Sequence, residues 1–160
     1  MNRMRRSLAV AGLHVLLVAG LGAKLLIDRA TLPRAWVLAE TAGPAQGRYI
    51  RLHLRALYAG PAPEAGLSHE RVILRVEGER AVAAPVSSGG VFARIEWADA
   101  RWQAALLPAI VFFLPGPVDL PLRERGEELW VEAVIPENGL ARPIRLGRLI
   151  DGRFRPLAPQ

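Results

Sequence analysis

The chain has 160 residues, no cysteine and a formal net charge of +6. The lack of cysteine excludes disulfides, thiolate metal sites, a cysteine nucleophile and a lipid-bearing cysteine. Nor does the charge point to nucleic acid: the first 27 residues hold Arg3, Arg5, Arg6 and Lys24 and no acid, which leaves 17 basic against 15 acidic residues in the remainder.

Residues 1–7 form a basic start. Residues 8–27 (LAVAGLHVLLVAGLGAKLLI) come next as an apolar run without an acid. A hydrocarbon core of about 30 Å takes roughly 20 helical residues, so this run predicts one transmembrane helix. Lys24 lies near its end, where the stem can reach the headgroups. His14 is deeper; it is read either as a contact with another transmembrane helix or as a tolerated neutral imidazole. The basic excess before the run predicts a cytoplasmic N-terminus and an extracytoplasmic C-terminal domain. A cleaved signal peptide is the rival reading, because Ala19, Gly20, Gly22 and Ala23 are small. Both readings export the C-terminal domain.

Residues 28–34 read as a linker, with Pro33 ending the helix. Residues 35–160 read as one β-rich domain. Its first strand is 35–40 (AWVLAE), in which Trp36 is either an interfacial anchor or ordinary core. A loop over 41–46 precedes the clearest strand, GRYIRLHLRAL. There Ile50, Leu52, Leu54 and Ala56 alternate with Tyr49, Arg51, His53 and Arg55, which predicts one buried face. Residues 59–68 hold two prolines and two glycines and read as a loop. Further strands are predicted over 71–77, 80–86 and 91–97. Residues 98–107 read as a helical turn or an irregular link. The apolar run 109–114 (AIVFFL) reads as a strand covered on both faces, ended by Pro115, Gly116 and Pro117.

The last strands are 129–135, 144–150 and 153–157. Asn138-Gly139 suits a type I′ hairpin, and Asp151-Gly152 marks a second one. About eight short strands and no long helix after the anchor predict an all-β fold, an antiparallel sandwich or a small partly open barrel.

No catalytic, metal or cofactor motif emerges. A serine–lysine hydrolase needs a lysine beside its serine. The only lysine is Lys24, away from Ser68, Ser87 and Ser88. Ser68 and His69 are adjacent without a G-x-S-x-G elbow. His53 and His69 are too few for a zinc site. The carboxylate pairs Glu77/Glu79, Glu96/Asp99 and Glu127/Glu128 read as solvated strand ends and turns. What remains is the row Tyr49, Arg51, His53 and Arg55. It is either an interaction face for an acidic partner, an anionic polymer or lipid headgroups, or a solvated face pairing with Arg94 and Glu96 across strands.

At GRYIRLHL the sequence resembles the bacterial GDYXXLXY membrane-protein family, through Gly47, Tyr49 and Leu52. The order of parts is similar too: basic start, single span, Trp/Val strand, motif, then IVFFLPG and LWVEAVIPENGLARPIRLGRLIDGRF. Arg48 stands where the motif has Asp, and Leu54 where it has the last Tyr. The family has no assigned activity. The resemblance implies a single-pass protein of the bacterial cytoplasmic membrane with its domain on the periplasmic or extracytoplasmic side, and a multi-pass membrane protein as its partner. The resulting expectation is a non-enzymatic accessory protein of the cell envelope, contacting the lipid bilayer and no nucleic acid. The alternative is an envelope hydrolase acting on a cell-wall or lipid substrate.

Overall fold

The computed structural model describes residues 2–43, 48–64, 66–114 and 127–157. It divides into two compact units, Met1–Leu32 and Pro33–Gln160.

The first unit is one helix, α1 (Asn2–Thr31). It stops two residues before Pro33, as the steric restriction on a residue preceding proline requires. In its last turns Lys24 Nζ pairs with Asp28 at 3.1 Å, and the Thr31 hydroxyl donates to the Ile27 carbonyl at 2.8 Å. His14 Nδ1 lies 2.9 Å from the Val10 carbonyl. Among the described residues no helix is long and apolar enough to cross a membrane. The side chains of residues 8, 9 and 11 of the expected span lie outside the described set. Those that are described are largely apolar and exposed: Val15, Leu16, Leu17 and Val18 are 68%, 72%, 56% and 69% exposed. Four consecutive positions at about 3.6 residues per turn encircle the axis, so the helix has no polar face over this stretch.

The second unit is a β-structure of ten strands among the described residues: β1 (Arg34–Thr41), β2 (Tyr49–Tyr58), β3 (Leu67–Glu77), β4 (Arg80–Pro85), β5 (Val91–Ala98), β6 (Arg101–Leu107), β7 (Ile110–Phe113), β8 (Leu129–Val134), β9 (Arg142–Ile150) and β10 (Arg153–Pro156). Six of them close a barrel in the order β1-β4-β3-β5-β6-β2, with β2 returning to β1. Most neighbours are antiparallel; β4 runs parallel to β1 and β2. The β8-β9-β10 sheet extends from the outer edge of β1, and β7 extends from β2. The expected partly open barrel or sandwich is therefore a closed barrel with extensions, and the strand count exceeds the expected eight.

The interior follows the predicted alternation. Ile50, Leu52, Leu54 and Ala56 of β2 meet Val72 and Leu74 of β3, Ala93 and Ile95 of β5, and Ala104 and Leu106 of β6. Small and large side chains share this interior, as suits a narrow barrel. The outer face of the extension has its own aromatic packing. Trp36 stacks on Phe154 at 5.0 Å, and Phe154 meets Trp130 edge-on at 4.9 Å. Trp36 is 8% exposed, so it is a packing residue. Gly147 makes room for it: a Cβ there would stand 2.6 Å from Trp36 Cη2 and 2.9 Å from the Arg155 carbonyl.

Several local expectations change. Residues 98–107 are the end of β5, a tight turn at 99–100 and β6, not a helical turn or link. The predicted loop gives up Leu67 and Ser68 to β3. β7 is not covered on both faces, because Val111 is 61% and Phe113 47% exposed. Gly139 has positive φ but Asn138 does not, so Asn-Gly is not a type I′ turn. Asp151 and Gly152 both have positive φ and join β9 to β10 as a type I′ turn should. Gly47, residues 44–46 and the Pro115–Pro117 stop lie outside the described residues.

Candidate functional site

The outer row of β2 is the one surface the sequence singles out, and the register divides it in two. At one end, Tyr49 lies opposite Phe113 and Arg51 opposite Val111 on β7. All four are exposed, and the Tyr49 and Phe113 rings meet at 5.3 Å. They form an apolar, aromatic patch with a guanidinium beside it. β7 is the last strand on that side of the sheet among the described residues.

At the other end, His53 is half-buried and lies opposite Glu40 of β1. Arg55 is not an open face residue. Its side chain is 13% exposed; Nη2 binds Glu40 at 2.8 Å and Nη1 binds Glu96 at 2.6 Å. Arg94 supports Glu96 from the same strand at 2.9 Å. Of the expected cross-strand pairing with Arg94 and Glu96, the contact to Glu96 is thus present for Arg55, while Tyr49 and Arg51 remain accessible. Of the motif residues, Leu52 is fully buried and Tyr49 exposed.

Other aromatic groups reach the surface. Arg71 lies over the Phe92 ring at 4.1 Å, and Trp97 meets Trp102 edge-on at 5.5 Å. Sequence reading passes over Val111 and Phe113 because a continuous apolar run looks the same whether one or both faces are covered. Nothing local marks Gln103, Arg80 or Arg101, which face a cleft on the outer surface.

The residues considered for catalysis are engaged otherwise. Glu70 accepts from the Tyr58 hydroxyl at 2.5 Å and from the Ser68 hydroxyl at 2.9 Å. Ser68 therefore donates to a carboxylate rather than to a histidine. Burial, and then the hydrogen bond to Glu70, push the Tyr58 phenol from 10.0 up to about 12. A pH dependence follows from this shift. The folded chain holds the Tyr58 proton more tightly than the unfolded chain, so the contribution is complete below about pH 10 and is lost as pH rises towards 12. The urea midpoint should fall across that window, and Tyr58→Phe should remove this part of the fall. Among the described residues, no group of three or more His, Asp or Glu side chains could hold a metal.

No family model, curated protein or solved structure matches the chain.

Proposed function

We propose that residues 8–27 anchor the barrel in the bacterial cytoplasmic membrane as a single span, with the N-terminus cytoplasmic and the barrel extracytoplasmic. The protein acts there as a non-enzymatic interaction subunit of the cell envelope. The observation that carries this reading is the apolar circumference of α1, exposed at Val15, Leu16, Leu17 and Val18. Such a helix needs lipid or other helices around it. Arg3, Arg5 and Arg6 before it supply the basic flank of a cytoplasmic end. The order of parts, which resembles the GDYXXLXY family, supports a multi-pass membrane protein as the partner.

On the barrel, the Tyr49–Val111–Phe113 patch with Arg51 is the face best suited to that partner. It combines aromatic area with a guanidinium, the composition typical of interaction surfaces. A photo-crosslinking residue placed at Val111 of the full chain in native membranes should give a discrete adduct. The same residue at exposed Glu137 should not. Identical adduct patterns at the two positions would reject the patch as the interface.

A further inference from the structure

The outer surface of the barrel carries a half-enclosed cleft of about 180 Å³. It lies where the neighbour of β2 changes: β1 pairs with β2 as far as Arg55, and β4 takes over at Leu57. Two buried polar atoms on its lining residues lack a partner, and they have opposite character.

The first is an acceptor. Gln103 is 2% exposed although it occupies an outward position of β6. Its Nε2 donates to the Ala98 carbonyl and to Asp99 Oδ2, each at 3.2 Å. Two acceptors on that side settle the orientation of the amide, because only the nitrogen can serve them. The oxygen Oε1 is left buried without a hydrogen bond. The second atom is a donor. Arg55 spends Nη1 and Nη2 on Glu96 and Glu40, and its Nε is buried without a hydrogen bond. The register pairs Arg55 with Ala105 and Leu57 with Gln103. Arg55 and Gln103 are therefore diagonal neighbours, within reach of one small group. Buried groups of this kind normally find partners, so each unmatched one calls for an explanation.

The remaining lining defines the rest of an occupant. Leu38, Leu57 and Trp130 supply apolar walls. Arg80 and Arg101 also line the cleft, and the Arg80 guanidinium lies 5.2 Å from the Trp130 ring centre. With the Arg55 charge met by Glu40 and Glu96, these two guanidiniums face one further lining carboxylate, Glu77. The cleft thus has an unmatched buried donor and an unmatched buried acceptor on diagonally related lining residues, an apolar wall, and two guanidiniums against one further carboxylate.

We infer that this cleft binds an N-acylated apolar amino acid through its amide and its free carboxylate. The amide N–H meets Gln103 Oε1, its carbonyl accepts from Arg55 Nε, the apolar side chain lies against Leu38, Leu57 and Trp130, and the carboxylate meets Arg101 and Arg80. A free acyl amino acid and the C-terminal residue of a peptide share this chemistry. The inference is independent of the membrane anchor, since every group it uses belongs to the barrel unit.

The test uses the full chain in detergent micelles, with ¹⁵N NMR of the Arg55 Nε–H, which reports at the unmatched donor itself. N-acetyl-L-leucine should shift this resonance in a saturable way. N-acetyl-L-leucinamide, which lacks the charge, should bind about tenfold more weakly. Arg101→Gln should erase most of the difference between the two, with the urea midpoint unchanged. The peptide Ala-Ala-Ala-Leu binding more tightly than N-acetyl-L-leucine would identify a chain terminus as the ligand; weaker binding of the peptide would identify the free acyl amino acid. An Arg55 Nε–H resonance that no probe moves would overturn the inference and leave ordered water to bridge the two atoms. Equal binding of the acid and the amide by the unaltered chain would overturn the role given to the guanidiniums.

Discussion

Replacing Arg55 by methionine lowers the stability of the barrel by about 3 kcal/mol, the lower end of the range for removing one partner of a buried ion pair. The lower end applies because the two carboxylates it serves keep some exposure, with side chains 26% exposed at Glu40 and 18% at Glu96. Methionine leaves both without their shared cation. Arg94 remains bonded to Glu96 and limits the damage there. The triple replacement Arg55→Met, Glu40→Gln, Glu96→Gln should therefore recover most of the loss, since it removes the carboxylate charges as well as the cation. Urea unfolding monitored by tryptophan fluorescence measures this in the full chain. Trp36, Trp97, Trp102 and Trp130 all lie in the barrel unit, so the signal reports its unfolding and not that of the helix. A midpoint unmoved by Arg55→Met would show that the ion pairs contribute nothing.

Leu52→Ala costs about 3 kcal/mol on the same measurement, within the range for large-to-small changes in a packed core. Leu52 is 0% exposed and lies opposite both Thr41 of β1 and Ile110 of β7, so three strands surround the space the side chain would vacate. Tyr49, three residues earlier in the motif, behaves differently. It is 54% exposed, and its ring contact is with Phe113 at 5.3 Å. Tyr49→Ala should cost about 1 kcal/mol or less, the worth of one surface aromatic pair. Two of the motif residues thus separate into a packing residue and a surface residue, and only the second can affect a partner without affecting the fold. A loss at Tyr49 as large as that at Leu52 would contradict this division.

The strands easiest to read are those with one face buried and the other in water. In β2 the alternation survives intact, with Ile50, Leu52, Leu54 and Ala56 all buried. Asp151-Gly152 is legible for a related reason, because an isolated two-residue turn has a chemistry of its own. β6 is not legible, and Arg55 explains why. Gln103 and Ala105 point outward, yet they are 2% and 4% exposed. Ala105 lies between Arg55 and Arg94 in the cross-strand row. With both faces covered, the period of two disappears from the sequence. The turn that starts β6 also carries no glycine. Asp99 and Ala100 both have positive φ, and Gln103 holds Asp99 in place through its side chain. Such a turn depends on a contact that composition does not announce.

The candidate sites show the same limit. The row on β2 is found because its members are two residues apart. Its division into an accessible end and an ion-paired end depends on which strands lie beside it, β7 at Tyr49 and Arg51, β1 at His53 and Arg55. The cleft draws Leu38, Arg55, Arg80, Arg101, Gln103 and Trp130 from five strands. No spacing in the sequence unites them; barrel closure and the pairing of β8 with β1 do.

Attachment of the folded barrel to a membrane through residues 8–27 is tested by alkaline carbonate washing of cell membranes, then immunoblotting for the C-terminal end of the chain. The full-length product should stay in the washed membrane pellet, as an integral span requires. A shortened product in the soluble fraction, cut near the small residues at 19–23, would contradict the anchor and make this segment a cleaved export signal.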